Sequence, residues 1–91
     1  MALEIERSSQ FKRDYKRMKR QGADVSKLID VIGKLAAQDV LDRRYLDHDL
    51  KGNWRGYREC HLEPDWLLIY KIEGNTLRLD RTGSHSDLFS R

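Results

Sequence analysis

The chain has a single cysteine, Cys60, so it forms no internal disulfide, and a reducing, cytoplasmic setting is expected. It has no CxxC or HxxxH spacing, and one Cys with three His is a poor zinc set. No apolar run approaches the ~18 residues of a membrane span. The N-terminal residues Met1-Ala2-Leu3-Glu4-Ile5-Glu6-Arg7 lack a basic n-region and an apolar h-region, so no signal peptide is expected. Repeats, linkers and low-complexity segments are also missing. What remains reads as one domain over residues 1–91 with a modest core, since a chain of this size buries roughly 60–65% of its unfolded surface.

Positive charge is present and unevenly placed. The net charge is only +3. Yet Lys12, Arg13, Lys16, Arg17, Lys19 and Arg20 crowd one short segment against a single acid, Asp14. Such a patch attracts phosphate backbones or an acidic protein partner.

Residues 2–6 alternate apolar and polar, which predicts a short half-buried strand. Ser8 and Ser9 offer caps for a helix over about 10–20, with Phe11, Tyr15 and Met18 on its buried face. Gly22 suits the left-handed residue that closes it. Asp24 caps a second helix over about 25–38, with a stripe of Leu28, Ile29, Ile32, Leu35 and Ala36. The short connection predicts an antiparallel helix pair. Gly33 within the second helix is expected to serve a close contact. Residues 39–53 lose periodicity and read as a loop that Leu41, Tyr45, Leu46 and Leu50 pin. Strands are predicted over 54–62, 66–72 and 76–81, joined by Pro64-Asp65 and Gly74-Asn75 turns. A short tail follows over 85–89. The fold class is α+β in the order β-α-α-β-β-β. The helix pair covers one face of an antiparallel sheet, and the other face is left for function.

That face carries the chemistry. The three histidines sit in Asp47-His48-Asp49, in His61-Leu62-Glu63-Pro64-Asp65-Trp66 and in Arg81-Thr82-Gly83-Ser84-His85. A lone surface histidine is ordinarily just solvated; the grouping is what matters. By alternation His61 shares a face with Tyr57 and Glu59, while Cys60 and Leu62 face the core. Imidazoles, a carboxylate and an arginine are what RNA cleavage by internal transesterification requires. A base takes the 2′-OH proton, an acid protonates the departing 5′ oxygen, and a cation stabilises the phosphorane. Histidine suits both proton transfers, and this chemistry needs no metal. Trp66 and Phe89 are placed to stack on bases, whereas Tyr70 is expected in the core. These residues do not by themselves exclude a binding module without catalysis.

The stretches Asp47-His48-Asp49-Leu50-Lys51-Gly52, Trp54-Arg55-Gly56-Tyr57-Arg58-Glu59, His61, Pro64-Asp65-Trp66, Leu68-Ile69-Tyr70-Lys71, Arg81-Thr82-Gly83-Ser84-His85 and Leu88-Phe89 resemble the YafQ branch of the RelE/ParE toxin superfamily, in order and with compatible spacing. The N-terminal half is similar in pattern only. The resemblance implies an endoribonuclease that cuts mRNA in the 30S decoding site of the ribosome and stops translation. It also implies a cognate antitoxin, through which alone operator DNA is bound, and no cofactor. It places His48, His61, Asp65, Trp66, Arg81, His85 and Phe89 in the site. On residue type, His85 would protonate the leaving oxygen and Arg81 would stabilise the phosphorane. His48, His61 and Asp65 would supply or orient the base, and Trp66 and Phe89 would hold nucleotides. Lys12, Lys16 and Arg17 would meet 16S ribosomal RNA phosphates. A gyrase-poisoning toxin on the same scaffold is the rival, but it has no need of three histidines.

Overall fold

The computed structural model describes residues 2–89. The order is β1 (Glu4–Arg7), α1 (Ser9–Arg20), α2 (Val25–Ala36), β2 (His48–Asp49), β3 (Arg58–Glu63), β4 (Trp66–Glu73), β5 (Thr76–Gly83) and α3 (His85–Phe89). The sheet runs β1-β5-β4-β3-β2. Strands β3 to β5 pair antiparallel, as predicted for the meander; β2 adds antiparallel to β3, and β1 joins β5 in parallel, so the sheet is mixed. The expected loop over 39–53 contains β2 and two 3-10 turns, Arg43–Tyr45 and Gly52–Trp54. Trp54 therefore precedes the strand it was expected to begin. The expected tail is a helical turn, α3. Among the described residues no helix is long and apolar enough to cross a membrane.

Local signals set the helices. Ser8 caps α1, its Oγ accepting the Phe11 N–H at 2.9 Å. Gly22, at φ +85°, ends it: Gly22 N–H bonds the Lys19 carbonyl and Ala23 N–H the Met18 carbonyl, a Schellman closure. In α2 the buried stripe is Leu28, Val31, Leu35 and Ala36, with Ile32 at its flank. Ile29, expected in that stripe, is 58% exposed. Gly33 makes no close contact; a Cβ there would meet nothing within 4 Å. Leu46 is also exposed, so Tyr45, Leu41 and Leu50 pin the loop without it.

The two faces of the sheet bury different residues. Phe11, Met18, Leu28, Val31 and Leu35 pack over Cys60, Leu62, Trp66, Leu68, Tyr70, Leu77 and Leu79. Burial, foremost, pushes the Cys60 thiol up to about 12. The opposite face is a smaller cluster of Leu67, Ile69 and Leu88, with Leu50, Trp54 and Tyr57 half-buried around it. Leu88 thus fastens α3 to the face away from the long helices.

Two irregularities set the course of β5. First, Ile69 pairs with Arg81 but Tyr70 pairs with Leu79, so Asp80 is an extra, bulged residue. Leu77 and Leu79 face the helices; without the slip, alternation would send Arg81 the same way. Second, β1 leaves β5 at Arg7, opposite Leu79. The side chains of Ser8, the cap of α1, and of α1 itself take over from there. Ser8 Oγ donates to the Asp80 carbonyl at 2.7 Å, Asp14 Oδ2 accepts the Thr82 N–H at 3.2 Å, and Arg17 Nη2 donates to the Thr82 carbonyl at 3.2 Å.

Ser8→Ala should lower stability by about 1–2 kcal/mol, because it removes a helix cap and an acceptor's partner together. Urea denaturation reads this, and an unchanged midpoint would refute the double role. Trp66 is 3% exposed, and its Nε1–H donates to Thr82 Oγ1 at 2.9 Å. Trp66→Ala should therefore cost roughly 3–5 kcal/mol in the same measurement, as deletion of a core aromatic does.

Candidate active site

The strand register assembles the site in two rows on the face away from α1 and α2. His48 pairs with Glu59, Glu59 with Ile69 and Ile69 with Arg81; in the next row His61 pairs with Leu67 and Leu67 with Gly83. Paired residues point to the same side of a sheet, so His48, Glu59, His61 and Arg81 share this face. Helix α3 adds His85 and Phe89 beside them. The rings then form a chain: His48 to His61 at 6.1 Å, His61 to His85 at 5.8 Å and His85 to Phe89 at 6.4 Å between centroids.

Each imidazole is held differently. His85 Nδ1 lies 2.8 Å from Asp65 Oδ1, which also accepts the His85 backbone N–H at 3.0 Å. A carboxylate only accepts, so Nδ1 carries a hydrogen and Nε2 is the atom left to exchange a proton. The His85 N–H, then its ring, hold the Asp65 carboxyl below its ordinary value. Asp65 begins α3 from outside, while Ser84 and Asp87 close it from within. Asp87 N–H bonds Ser84 Oγ at 3.0 Å and Ser84 N–H bonds Asp87 Oδ2 at 3.2 Å, a capping box.

At the other end, His48 Nδ1 donates to the Leu46 carbonyl at 2.7 Å. Its Nε2 lies 3.3 Å from Oε2 of Glu59, which is 5% exposed. The residues flanking His48 are clamped by one arginine: Arg58 Nε reaches Asp47 at 3.2 Å and Nη1 reaches Asp49 at 2.6 Å. Tyr70 adds its hydroxyl to Asp47 at 2.6 Å. Burial, then that bond, push the Tyr70 phenol up, so it remains a donor. His61 lies between the two ends. Its Nε2 is 3.9 Å from Glu59 Oε2, and its Nδ1 is buried without a hydrogen-bond partner. That omission costs about 1–3 kcal/mol, the kind of cost that functional sites carry.

Arg81 reaches Asp14 through Nε at 2.7 Å and Nη2 at 3.3 Å. Phe89 is 41% exposed and open to stacking. Among the described residues, no group of three or more His, Cys, Asp or Glu is placed to hold a metal ion.

Four sequence expectations need correction or refinement. Trp66 does not face this site: it shares the helix side with Leu68 and Tyr70 and is buried there, so its ring cannot meet a base. Arg17 is not a free phosphate ligand. Its guanidinium is half-buried and already engaged, with Asp14 at 2.9 Å, the Thr82 carbonyl and Asp87. Asp65 joins His85, the assigned acid, rather than the base. Lys12 and Lys16 are exposed, but they line a groove with Ile5, Tyr15 and Ile29 on the helix side. Sequence reasoning also passed over Glu59 and Asp14. The alternation that selected His61 carries Glu59 with it, and Asp14 falls between Phe11 and Met18 on the buried stripe of α1.

Known proteins place the chain. Residues 3–90 match the family model described as the bacterial toxin of type II toxin–antitoxin system, YafQ. The mRNA interferase toxin YafQ of Escherichia coli K12 is 42% identical over 87 residues, covering 94% of this chain and 95% of that protein. The crystal structure of YafQ from E. coli strain BL21(DE3) superposes with a TM-score of 0.92 at 41% identity, covering 96% of this chain and 98% of that one. YafQ in the E. coli DinJ–YafQ toxin–antitoxin complex gives a TM-score of 0.90 at 41% identity, covering 98% and 99%. Fold and sequence thus agree that the chain belongs to the YafQ family of bacterial type II toxin–antitoxin toxins.

Proposed function

We propose that the chain is an mRNA endoribonuclease that acts in the cytoplasm on mRNA held in the decoding site of the ribosome, and that a cognate antitoxin neutralises it. The observation that carries the reading is the unbroken chain of rings from His48 through His61 and His85 to Phe89, with His85 oriented by Asp65. In this reading the base cluster lies on one side of the scissile phosphate and His85 on the other, as in-line displacement requires.

The cluster of His48, Glu59 and His61 takes the proton of the ribose 2′-OH as that oxygen attacks phosphorus. His85 gives a proton from Nε2 to the 5′ oxygen as the P–O5′ bond breaks. The products are a 2′,3′-cyclic phosphate and a 5′-hydroxyl. Arg81 stabilises the charge that gathers on the phosphorane, and Phe89 stacks on a base beside the scissile bond. His85 offers Nε2 to the reaction because its Nδ1 is committed to Asp65; His48 has Nδ1 on Leu46 and Nε2 against Glu59, so the proton is taken by the His48–Glu59–His61 cluster as a unit. A gyrase-poisoning toxin would have no use for a carboxylate-held imidazole.

Two outcomes are expected. His85→Ala should lower the rate of cleavage of ribosome-bound mRNA by about 10²–10⁴-fold, the range of general acid catalysis, with the protein still folded. Primer extension on a reporter mRNA measures it, and wild-type cutting by the variant would remove His85 from the reaction. Lys12→Glu with Lys16→Glu should weaken ribosome binding and flatten its log–log salt dependence by roughly 1–2, at about 0.7–0.9 per lost phosphate contact. Sedimentation with ribosomes across salt concentrations checks this; unchanged binding would place the docking surface elsewhere.

A further inference from the structure

Asp14 is the only acid in a strongly basic helix, and it is fully buried. Burying a carboxylate is costly unless it is paired and hydrogen-bonded. Here five donor contacts converge on it: Arg81 Nε at 2.7 Å, Arg17 Nη1 at 2.9 Å, Gln10 Nε2 at 3.0 Å, Thr82 N–H at 3.2 Å and Arg81 Nη2 at 3.3 Å. Burial alone would raise its pKa, but the bonds from Arg81, Gln10, Thr82 and Arg17 outweigh this and hold it below its ordinary value.

The edge of β5 does not need a full charge. A neutral acceptor would satisfy the Thr82 N–H. What a neutral side chain does not do is grip a guanidinium along one edge through two oxygens. Asp14 holds the Nε–Nη2 edge of Arg81, which fixes the plane of the group and leaves Nη1 as the nitrogen it does not engage. Gly83 keeps the arrangement open. A Cβ there would lie 2.7 Å from Arg17 Nη2 and would displace the second guanidinium from the Thr82 carbonyl and Asp87.

We propose that Asp14 is the positioning residue of the reaction: from outside the substrate site, it sets the guanidinium of Arg81 against the phosphorane. The proposal rests on the ribonuclease reading, in which Arg81 stabilises that phosphorane. In Asp14→Asn, the amide nitrogen would face a donor of Arg81 or Arg17, and the grip would be lost.

The test is a double-mutant cycle on the purified full-length toxin, comparing wild type, Asp14→Asn, Arg81→Ala and the double variant. Single-turnover cleavage of ribosome-bound mRNA is measured alongside ribosome binding and thermal unfolding. Asp14→Asn should cut the rate by about 10²-fold, the effect of a displacement near 1 Å, with ribosome binding unchanged. In the Arg81→Ala background the same substitution should change the rate less than about 2-fold, since coupled residues are non-additive. An equal loss in both backgrounds overturns the proposal and makes Asp14 merely structural; so does a wild-type rate in Asp14→Asn. If Arg81→Ala alone cleaves like wild type, the assigned chemistry falls, and the proposal with it. If Asp14→Asn does not fold, Asp14→Glu enters the same cycle. It keeps the charge but moves it by one methylene, and the same pattern of coupling is required of it.

Discussion

A strand that loses its neighbour halfway must find other partners for its N–H and carbonyl groups. Much of this molecule derives from that constraint on β5. Its inner half is paired by β1, and in its outer half Asp80 and Thr82 are completed by side chains of α1 and its cap Ser8. The helix that comes after β1 thereby lies along the end of the strand that bears Arg81 and leads into α3. The contact is polar and charged rather than greasy, so it specifies one position of the helix along the strand. The same guanidinium that closes the strand edge touches Asp87, half of the capping box at the start of α3. Backbone satisfaction and the placing of the site's two outermost elements are one event.

The site itself is supported from below. Leu67 and Ile69 alternate with the core residues of β4, form a small second core with Leu88, and so seat α3 on the histidine face. Few hydrogen bonds reach the middle of the row. His61 relies on packing between the other two rings and leaves one nitrogen unmatched. The ends are fixed firmly, by Asp65 on one side and by Leu46 and the Arg58 clamp on the other. A rigid frame around a weakly bonded centre is how a fold carries an under-satisfied polar group, with the deficit made up in the surrounding structure.

Elements whose signals are local were legible in the chain: the Ser8 cap, the Gly22 closure, the Gly74 hairpin and the alternation of β3. Where two residues competed for one helix stripe, the pattern was ambiguous. Val31 and Ile29 are both apolar and three-dimensional packing chose Val31, leaving Ile29 in the groove beside α1. Trp66 was decidable, since its parity with Tyr70 puts both on the helix side. The Ser84-x-x-Asp87 box was equally open to reading and marks α3. Arg81 was not decidable in the same way. Its face depends on the bulge at Asp80, and no single-strand pattern announces a one-residue slip between two strands. The double use of Arg17 and the burial of Asp14 depend on where β1 stops, which is a tertiary fact.

Cys60 sits between Glu59 and His61 on the strand that carries the centre of the site, yet it points to the opposite face and is fully buried. With its thiol pushed up to about 12, little thiolate exists at neutral pH and no oxidant reaches the sulfur in the closed molecule. Alkylation of this one sulfur therefore proceeds through opening of β3. Its rate is a built-in clock for how often the floor beneath the histidines parts from the helices, readable without any introduced label.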